Sequence, residues 1–259
     1  HYRQHLRPKL LEHKVELLDY KQLNDDQRQW VDNTFQTSVF PVLTPLAVDP
    51  AHPFPFVSNL SLNVAAVVVD PETGQRQFAR VKVPQKNLPR FIAIPSNLSG
   101  QEHKPVHTAI ALEQVIAFNL KELFPGMTIE GHYFFRVTRD ADLELRDLEA
   151  DDLMLALEQG LRKRRMGGEV VRLEVPNEMP QDVVEMLMTG LSVEEEDLYV
   201  IDGPLGLDDL LSLTALALPK LKSQSHGGQT PTVLARSQQH LLDEGAIKPD
   251  EFRSIFSVI

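Results

Sequence analysis

The sequence predicts an α+β fold, in which a mixed β-sheet with packed helices is preceded by a helical segment. The predicted elements of the main part follow the order β-β-β-α-β-β-α-β-α-β-α, which mixes hairpins with crossover connections. Such mixing favours a mixed sheet over a doubly wound parallel one. The 259 residues are 42% hydrophobic and 24% charged, an ordinary globular composition with enough chain for a sizeable core.

The first part of the chain is predicted to be helical. Leu6, Leu10 and Val15 recur at a spacing typical of one helix face. Asn24 is predicted to cap a second helix, because its side-chain oxygen can accept a hydrogen bond from a first-turn N–H group. This helix is expected to end at Pro41.

A proline-rich segment, residues 41–56, follows this helical part. Proline is excluded from helix interiors and cannot donate a hydrogen bond within a central strand. The segment is therefore predicted to be a structured connector and a domain boundary.

The later elements share hydrophobic periodicity bounded by turn residues. The predicted strands are 59–70, 76–84, 91–94, 128–137, 141–145, 169–175 and 197–201, and the predicted helices are 109–124, 149–166, 180–190 and 207–216. The turn Asp70 to Gly74 makes the first two strands a hairpin. The predicted sheet core consists of Val64, Val67, Val81, Ile92, Phe135, Val137, Val171, Leu173 and Val200.

Composition argues against several classes of protein. Lys and Arg number 26 against 37 Asp and Glu, and the net charge of −11 opposes non-specific binding to nucleic acid or anionic membranes. The absence of cysteine excludes disulfides and thiolate metal sites.

The longest apolar run, 64–69, is too short to span a bilayer, and the N-terminus has no apolar signal region. We expect a cytoplasmic protein, with any membrane association through other parts of a parent protein. The apolar residues 255–259 are expected to continue into a packed element of that longer chain.

No phosphate-cradling glycine loop and no nucleophile-elbow serine occurs in the sequence. Asp140, Asp142 and Glu144 alternate and are compatible with a divalent-metal site, although carboxylates are also common on exposed strands without function. Their metal site would make the chain a metal-dependent hydrolase. His52 is the best single candidate for a functional imidazole, against a structural role in a rigid turn.

The strongest local charge feature is a basic run, Arg162, Lys163, Arg164 and Arg165, with Arg172 shortly after it. The run ends a predicted helix that begins with acidic residues, which is the arrangement that the helix dipole favours. This arrangement is typical of a helix end or an ion-paired subunit contact. Arginine forks also suit phosphate, so contact with a phosphate ligand is the other interpretation.

Seven segments resemble the polyphosphate kinase family, in the family's own order. They are TPLAVDPAHPFPFVSNLSLN (44–63), FARVKVP (78–84), LPRFIAIP (88–95), NLKELFPGM (119–127), FFRVTRDADLEL (134–145), RKRRMGGEVVRLEV (162–175) and DGPLGLDDL (202–210). A colinear series of this length is far more specific than any single short motif.

The resemblance implies a domain organisation. Residues 1–57 would end a helical N-terminal domain, residues 58–220 would form the middle or head domain, through which the family dimerises, and residues 221–259 would be a linker and the start of a truncated C-terminal phospholipase-D-like domain. In the family, ATP and Mg²⁺ serve a reversible transfer of the ATP γ-phosphate to inorganic polyphosphate through a phosphohistidine. The resemblance places the catalytic histidines beyond Ile259, so no catalytic, cofactor or metal residue is expected here.

The sequence thus predicts a non-catalytic dimerisation and scaffold portion of a polyphosphate kinase. The alternative from another class is a stand-alone module that binds polyphosphate or a protein and has no kinase activity. The two hypotheses differ in what they require of the parent gene, because only the first demands a further catalytic half.

Overall fold

The structure, a computed structural model, describes residues 1–48, 54–98, 107–140 and 168–223. By compactness the chain divides into two units, His1–Asp209 and Leu210–Ile259. Within the described ranges no helix is long and apolar enough to cross a membrane. The strand predicted at 141–145 and the helix predicted at 149–166 lie outside the described residues.

Nine strands occur in the described ranges, and we number them in chain order. They are β1 (Val15–Leu18), β2 (Pro45–Val48), β3 (Leu62–Val69), β4 (Arg76–Lys82), β5 (Phe91–Ile94), β6 (His107–Ala111), β7 (Thr128–Arg139), β8 (Val170–Pro176) and β9 (Leu198–Ile201).

The helices of the same ranges are mostly short. The α-helices are α1 (Arg7–Glu12), α2 (Asp25–Thr34), α3 (Leu112–Phe118), α4 (Leu120–Leu123) and α5 (Gln181–Leu191). Tighter or wider helical turns are formed by Tyr2–Leu6, Tyr20–Gln22, Phe35–Val39, Phe40–Val42, Ser96–Leu98, Glu195–Asp197, Leu207–Ala215 and Pro219–Leu221.

The strands form two sheets. The smaller has the order β1-β6-β5, with a parallel β1–β6 pair and an antiparallel β5–β6 pair. The larger has the order β2-β4-β3-β7-β8-β9 and is antiparallel except for the parallel β8–β9 pair. These mixed sheets with several helices confirm the predicted α+β class.

The centre of the larger sheet is buried on both faces, as the continuous apolar run of β3 predicts. One hydrophobic cluster contains Val64 and Ala66 of β3 together with residues of α2 and α3. A second contains Ala65 and Val67 together with residues of α5. Because successive side chains of a strand point to opposite faces, the two clusters lie on opposite sides of one sheet.

The first cluster contains residues from both sides of the predicted boundary at 57/58, Val31 and Phe35 among those before it. The boundaries at 57/58 and 220/221 stay predictions.

Two local predictions are confirmed. The Asn24 side chain accepts a hydrogen bond from the backbone N–H of Gln27, while the Gln27 side chain accepts one from the N–H of Asn24. The β3–β4 hairpin turns where expected, because Asp70 Oδ1 accepts hydrogen bonds from the N–H groups of Glu72 and Thr73, and Gly74 adopts a φ of +70°.

Two predictions about elements are wrong. Val15 and Ile110, predicted in helices, lie instead in the parallel pair β1–β6, where Leu18 is in register with Ile110. This pairing joins distant parts of the chain and overrides local helical spacing. The proline-rich connector contains β2, whose residues pair antiparallel with β4 at one end of the sheet order. Proline is tolerated there because an end strand needs hydrogen bonds on one side only.

The predicted sheet core is largely confirmed. Six of its nine residues are buried, namely Val64, Val67, Val81, Phe135, Val137 and Leu173. Ile92 is partly buried against the first cluster. Val171 and Val200 are 44% and 56% exposed, against the prediction. Val171 follows the buried Val170, and neighbours on a strand face opposite ways, whereas Val200 lies on β9, the last strand of the sheet order.

Leu187 of α5 is fully buried in the second cluster, so we expect Leu187→Ala to lower the free energy of unfolding by about 2–5 kcal/mol. Glu185→Ala on the exposed side of the same helix should change it by less than about 0.5 kcal/mol. Chemical denaturation of both variants checks this, and equal effects would contradict the packing of α5 on the sheet.

Candidate functional site

Of the five basic residues singled out in the sequence, the structure describes only Arg172, since 162–165 lie outside the described residues. Arg172 lies on β8 and donates from Nε to Glu174 Oε1 at 2.8 Å. Its guanidinium carbon stands 3.8 Å from the ring centroid of Tyr199 on β9. An ion pair and a ring contact therefore hold Arg172, and its role toward phosphate or a second subunit stays a prediction.

The carboxylate that holds Arg172 is shared with a second arginine. Arg136 on β7 pairs with Glu174 at 3.3 Å, and both side chains are nearly buried at 13% and 11% exposure. Arg136 also lies 3.6 Å from Asp208, in the segment that follows β9. This network ties strands β7 and β8 to that segment and leaves its arginines balanced by carboxylates.

A third arginine forms the most deeply buried ion pair of the described residues. Arg90 Nη2 donates to Glu113 Oε1 at 2.7 Å, with side chains 5% and 7% exposed. The same guanidinium donates to the carbonyl oxygens of Leu205 and Gly206 and pairs with Asp209 at 3.0 Å. Burial alone would lower the pKa of Arg90, but the charges and hydrogen bonds of Glu113 and Asp209 outweigh burial and raise it.

Glycine is needed where this arginine meets the segment after β9. Gly206 has a φ of +61°, and an added Cβ would stand 3.1 Å from Arg90 Nη1. A larger residue would combine a strained backbone with a crowded contact.

The predicted metal and imidazole candidates lie mainly outside the described residues. Asp140 is described, but Asp142, Glu144 and His52 are not. The described residues contain no group of three or more side chains placed to hold a metal ion. His132 on β7, which sequence reasoning did not select, is partly buried between the rings of Phe118 and Phe134. Burial, and then the charge of Lys21, lowers the pKa of His132.

Sequence reasoning also missed a group of three cations, which we call the sheet-end cluster: Arg80 and Lys82 of β4 and Arg139 of β7. Arg80 and Lys82 are two residues apart and so point to the same face of the sheet. Arg139 ends β7, which lies on the other side of β3 from β4. The cluster therefore occupies the end of the sheet where β4 and β7 finish and β3 begins.

Three consecutive residues before β3 bring the sheet-end cluster together. The carbonyl oxygen of Phe56 accepts a hydrogen bond from Arg80 Nη1 at 2.8 Å. The carbonyl oxygen of Val57 accepts one from Arg139 Nε at 2.7 Å. Ser58 Oγ accepts one from Lys82 Nζ at 2.6 Å. This segment thus crosses the end of the sheet, and each of its three residues accepts a hydrogen bond from one cation of the cluster.

The remaining recorded contacts of these cations are to neutral groups. Arg80 Nε donates to Asn63 Oδ1, and Arg139 Nη1 donates to the carbonyl oxygen of Gly168. The guanidinium of Arg139 also lies 4.6 Å from the ring centroid of Phe56. Within the described ranges, no carboxylate forms an ion pair with any of the three.

The pKa shifts agree with this lack of negative charge. Burial lowers the pKa of Arg80 and of Arg139. Burial, then the neighbouring charges of Arg80 and Lys86, lowers the pKa of Lys82. Each shift has the direction expected for a cation that has lost water and gained no counter-charge.

A sequence signal for part of the cluster existed. In FARVKVP, residues 78–84, the alternation of apolar and basic residues puts Arg80 and Lys82 on one face of a predicted strand. Arg139 is 57 positions after Lys82 and joins them only through the strand order. No local sequence pattern indicates that Arg139 lies near Arg80 and Lys82.

The chain is similar to known proteins over nearly all of its length. A family model described as the polyphosphate kinase middle domain matches residues 26–213. The polyphosphate kinase of Parasynechococcus marenigrum (strain WH8102) is 80% identical over 259 residues, which are 100% of this chain and 36% of that protein. That of Prochlorococcus marinus (strain MIT 9313) is 71% identical over the same share of both. The chain thus spans 36% of the length of these two relatives.

A solved structure has the same fold. The crystal structure of polyphosphate kinase from Porphyromonas gingivalis matches with a TM-score of 0.72 and 22% sequence identity. The match covers 91% of this chain and 32% of that one.

We expect Arg90→Met to lower the free energy of unfolding by about 3–5 kcal/mol, because Glu113 would remain buried without its partner. The double variant Arg90→Met with Glu113→Leu should recover part of this loss. Arg28→Met, which breaks an exposed ion pair with Asp25, should cost less than about 1 kcal/mol. Chemical denaturation measures all three, and equal losses for Arg90→Met and Arg28→Met would contradict a buried pair.

Proposed function

Because this chain belongs to the polyphosphate kinase family, whose middle domain matches residues 26–213, we propose that it is the non-catalytic dimerisation and scaffold portion of such an enzyme. The match to the middle domain is the observation that carries this proposal. The ion-pair networks of the described residues support it, since Arg90, Arg136 and Arg172 are engaged by internal carboxylates. They stabilise an architecture and present no nucleophile to a phosphoryl group.

The chemistry is proposed to reside in the rest of the parent protein. There, ATP and Mg²⁺ would serve reversible transfer of the γ-phosphate to inorganic polyphosphate through a phosphohistidine that is proposed to lie beyond Ile259. The location is proposed to be the cytoplasm. The present chain would hold two subunits together and position the catalytic domains, without binding ATP or metal for catalysis.

Self-association is proposed to use the end of the larger sheet formed by β9. Tyr199 and Val200 of β9 are 41% and 56% exposed, and Val171 of the neighbouring strand β8 is 44% exposed. An end strand with apolar side chains is a template for pairing with another chain. A second copy of this chain is the partner that a family dimerising through its middle domain would supply.

We expect this chain alone neither to become phosphorylated nor to make polyphosphate when incubated with labelled ATP and Mg²⁺. The physical reason is the proposed absence of the nucleophilic histidine and its charge-neutralising partners. A full-length relative serves as the positive control. An acid-labile phosphoprotein band, or synthesis of phosphate chains by this chain, would refute the proposal.

We expect Val200→Lys to weaken self-association of the chain at least about tenfold, because a lysine ammonium resists burial at a strand-pairing interface. Light scattering across a concentration series measures the dissociation constant. Leu46→Lys is the matched control, since Leu46 is 40% exposed on β2 at the opposite end of the sheet order. An unaltered chain that is monomeric, or disruption by the Leu46 variant alone, would contradict the proposed interface.

A further inference from the structure

The sheet-end cluster brings three positive charges to one end of the sheet, and within the described ranges no carboxylate forms an ion pair with any of them. Arg80, Lys82 and Arg139 donate hydrogen bonds to neutral carbonyl, hydroxyl and amide oxygens, which satisfy several of their donors but leave their charge in place. Burying a cation such as Arg80 without a counter-charge is costly, so an anion bound at this point would stabilise the arrangement. The chain as a whole carries a net charge of −11, which makes a local excess of positive charge more conspicuous.

We propose that the sheet-end cluster binds a phosphate group, in the first instance one belonging to a chain of inorganic polyphosphate. The choice of phosphate rests on the proposed function, whereas the presence of an anion site rests on the geometry alone. The cluster lies in the part of the sheet formed by β3, β4 and β7 and includes no residue of the basic run at 162–165.

The cluster retains donors for such a ligand. Among the described residues, no acceptor is recorded for Nη2 of Arg80 or Nη2 of Arg139. Lys82 is exposed, and its ammonium has further hydrogens beyond the one given to Ser58.

The types of cation suit phosphate oxygens. Each of the two guanidinium groups has its terminal nitrogen Nη2 to donate to an oxyanion, and the lysine adds a compact point charge. Their positions are fixed in advance, because Phe56, Val57 and Ser58 each hold one of the three. A site whose donors are already ordered loses little conformational entropy when its ligand arrives.

Binding at this cluster would involve no bond making or breaking. The cluster would hold a segment of the phosphate chain on the middle domain, away from the chemistry proposed for the catalytic domains. A negatively charged protein repels a polyanion at a distance. A local binding site of this kind would therefore keep polyphosphate bound between successive phosphoryl transfers.

The test measures binding of short-chain inorganic polyphosphate to the 259-residue chain by calorimetry over a salt series. Lys82→Gln and Arg139→Gln should each weaken binding roughly ten- to a hundredfold, as expected for loss of a hydrogen bond to a charged group. Each should also reduce the slope of log K against log salt by about one. Arg139→Lys should keep part of the affinity, because it preserves the charge and loses the fork.

The matched control is Lys121→Gln, which removes one exposed charge from α4 and should leave binding unchanged. Lys82 is exposed, so its variant should fold normally, and thermal unfolding of every variant checks this. No binding by the unaltered chain would overturn the proposal. Unchanged binding by both cluster variants would also overturn it, as would loss of binding only when Arg162, Arg164 and Arg165 are replaced by Gln.

Two further ligands distinguish the sources of phosphate. ATP is added as a competitor of polyphosphate. If ATP competes, and if its affinity falls equally in the Lys82 and Arg139 variants, the site binds phosphate groups in general. Much tighter binding of polyphosphate than of ATP would show that the site is specific for the phosphate polymer. The oligomeric state, measured on the same samples, separates this proposal from the scaffold function, since a monomer can bind phosphate and a dimer can fail to bind it.

Discussion

The rest of the architecture depends on one constraint, the burial of β3 on both faces. A strand with Leu62, Val64 and Ala66 on one side and Ala65 and Val67 on the other exposes apolar surface in two directions. Two separate layers must therefore cover it, and the helical segments α2 and α3 and the helix α5 provide them. At the start of the strand a polar residue is buried as well, and this residue, Asn63, accepts a hydrogen bond from the buried Arg80.

The sequence predicts elements well where the determining contacts are local. The Asn24 cap and the Asp70 turn depend on residues within three or four positions, and both form as expected. The parallel pair of β1 with β6 is different, because Val15 meets His107 across 92 positions, and local spacing carries no trace of that contact. The exposure of Val200 depends on which strand ends the sheet, which only the assembled order reveals.

The same distinction explains the candidate site. A run of four basic residues is conspicuous in a sequence, whereas a cluster assembled from Arg80, Lys82 and Arg139 is spread over 60 positions and becomes visible through strand order. The structure also separates arginines by environment. Arg90 lies against carboxylates, and Arg80 lies against neutral oxygens. Residue type alone does not distinguish an arginine held by carboxylates from one held only by neutral oxygens.

The long span of the β1–β6 pair has a consequence for synthesis of the protein. Val15 leaves the ribosome well before His107 exists, and the 92 residues from Glu16 to His107 take roughly 5 to 20 seconds to translate. Throughout this interval the strand residues Val15–Leu18 are without their parallel neighbour. The nascent chain must therefore pass through a period in which its first strand is open to chaperones or to mispairing.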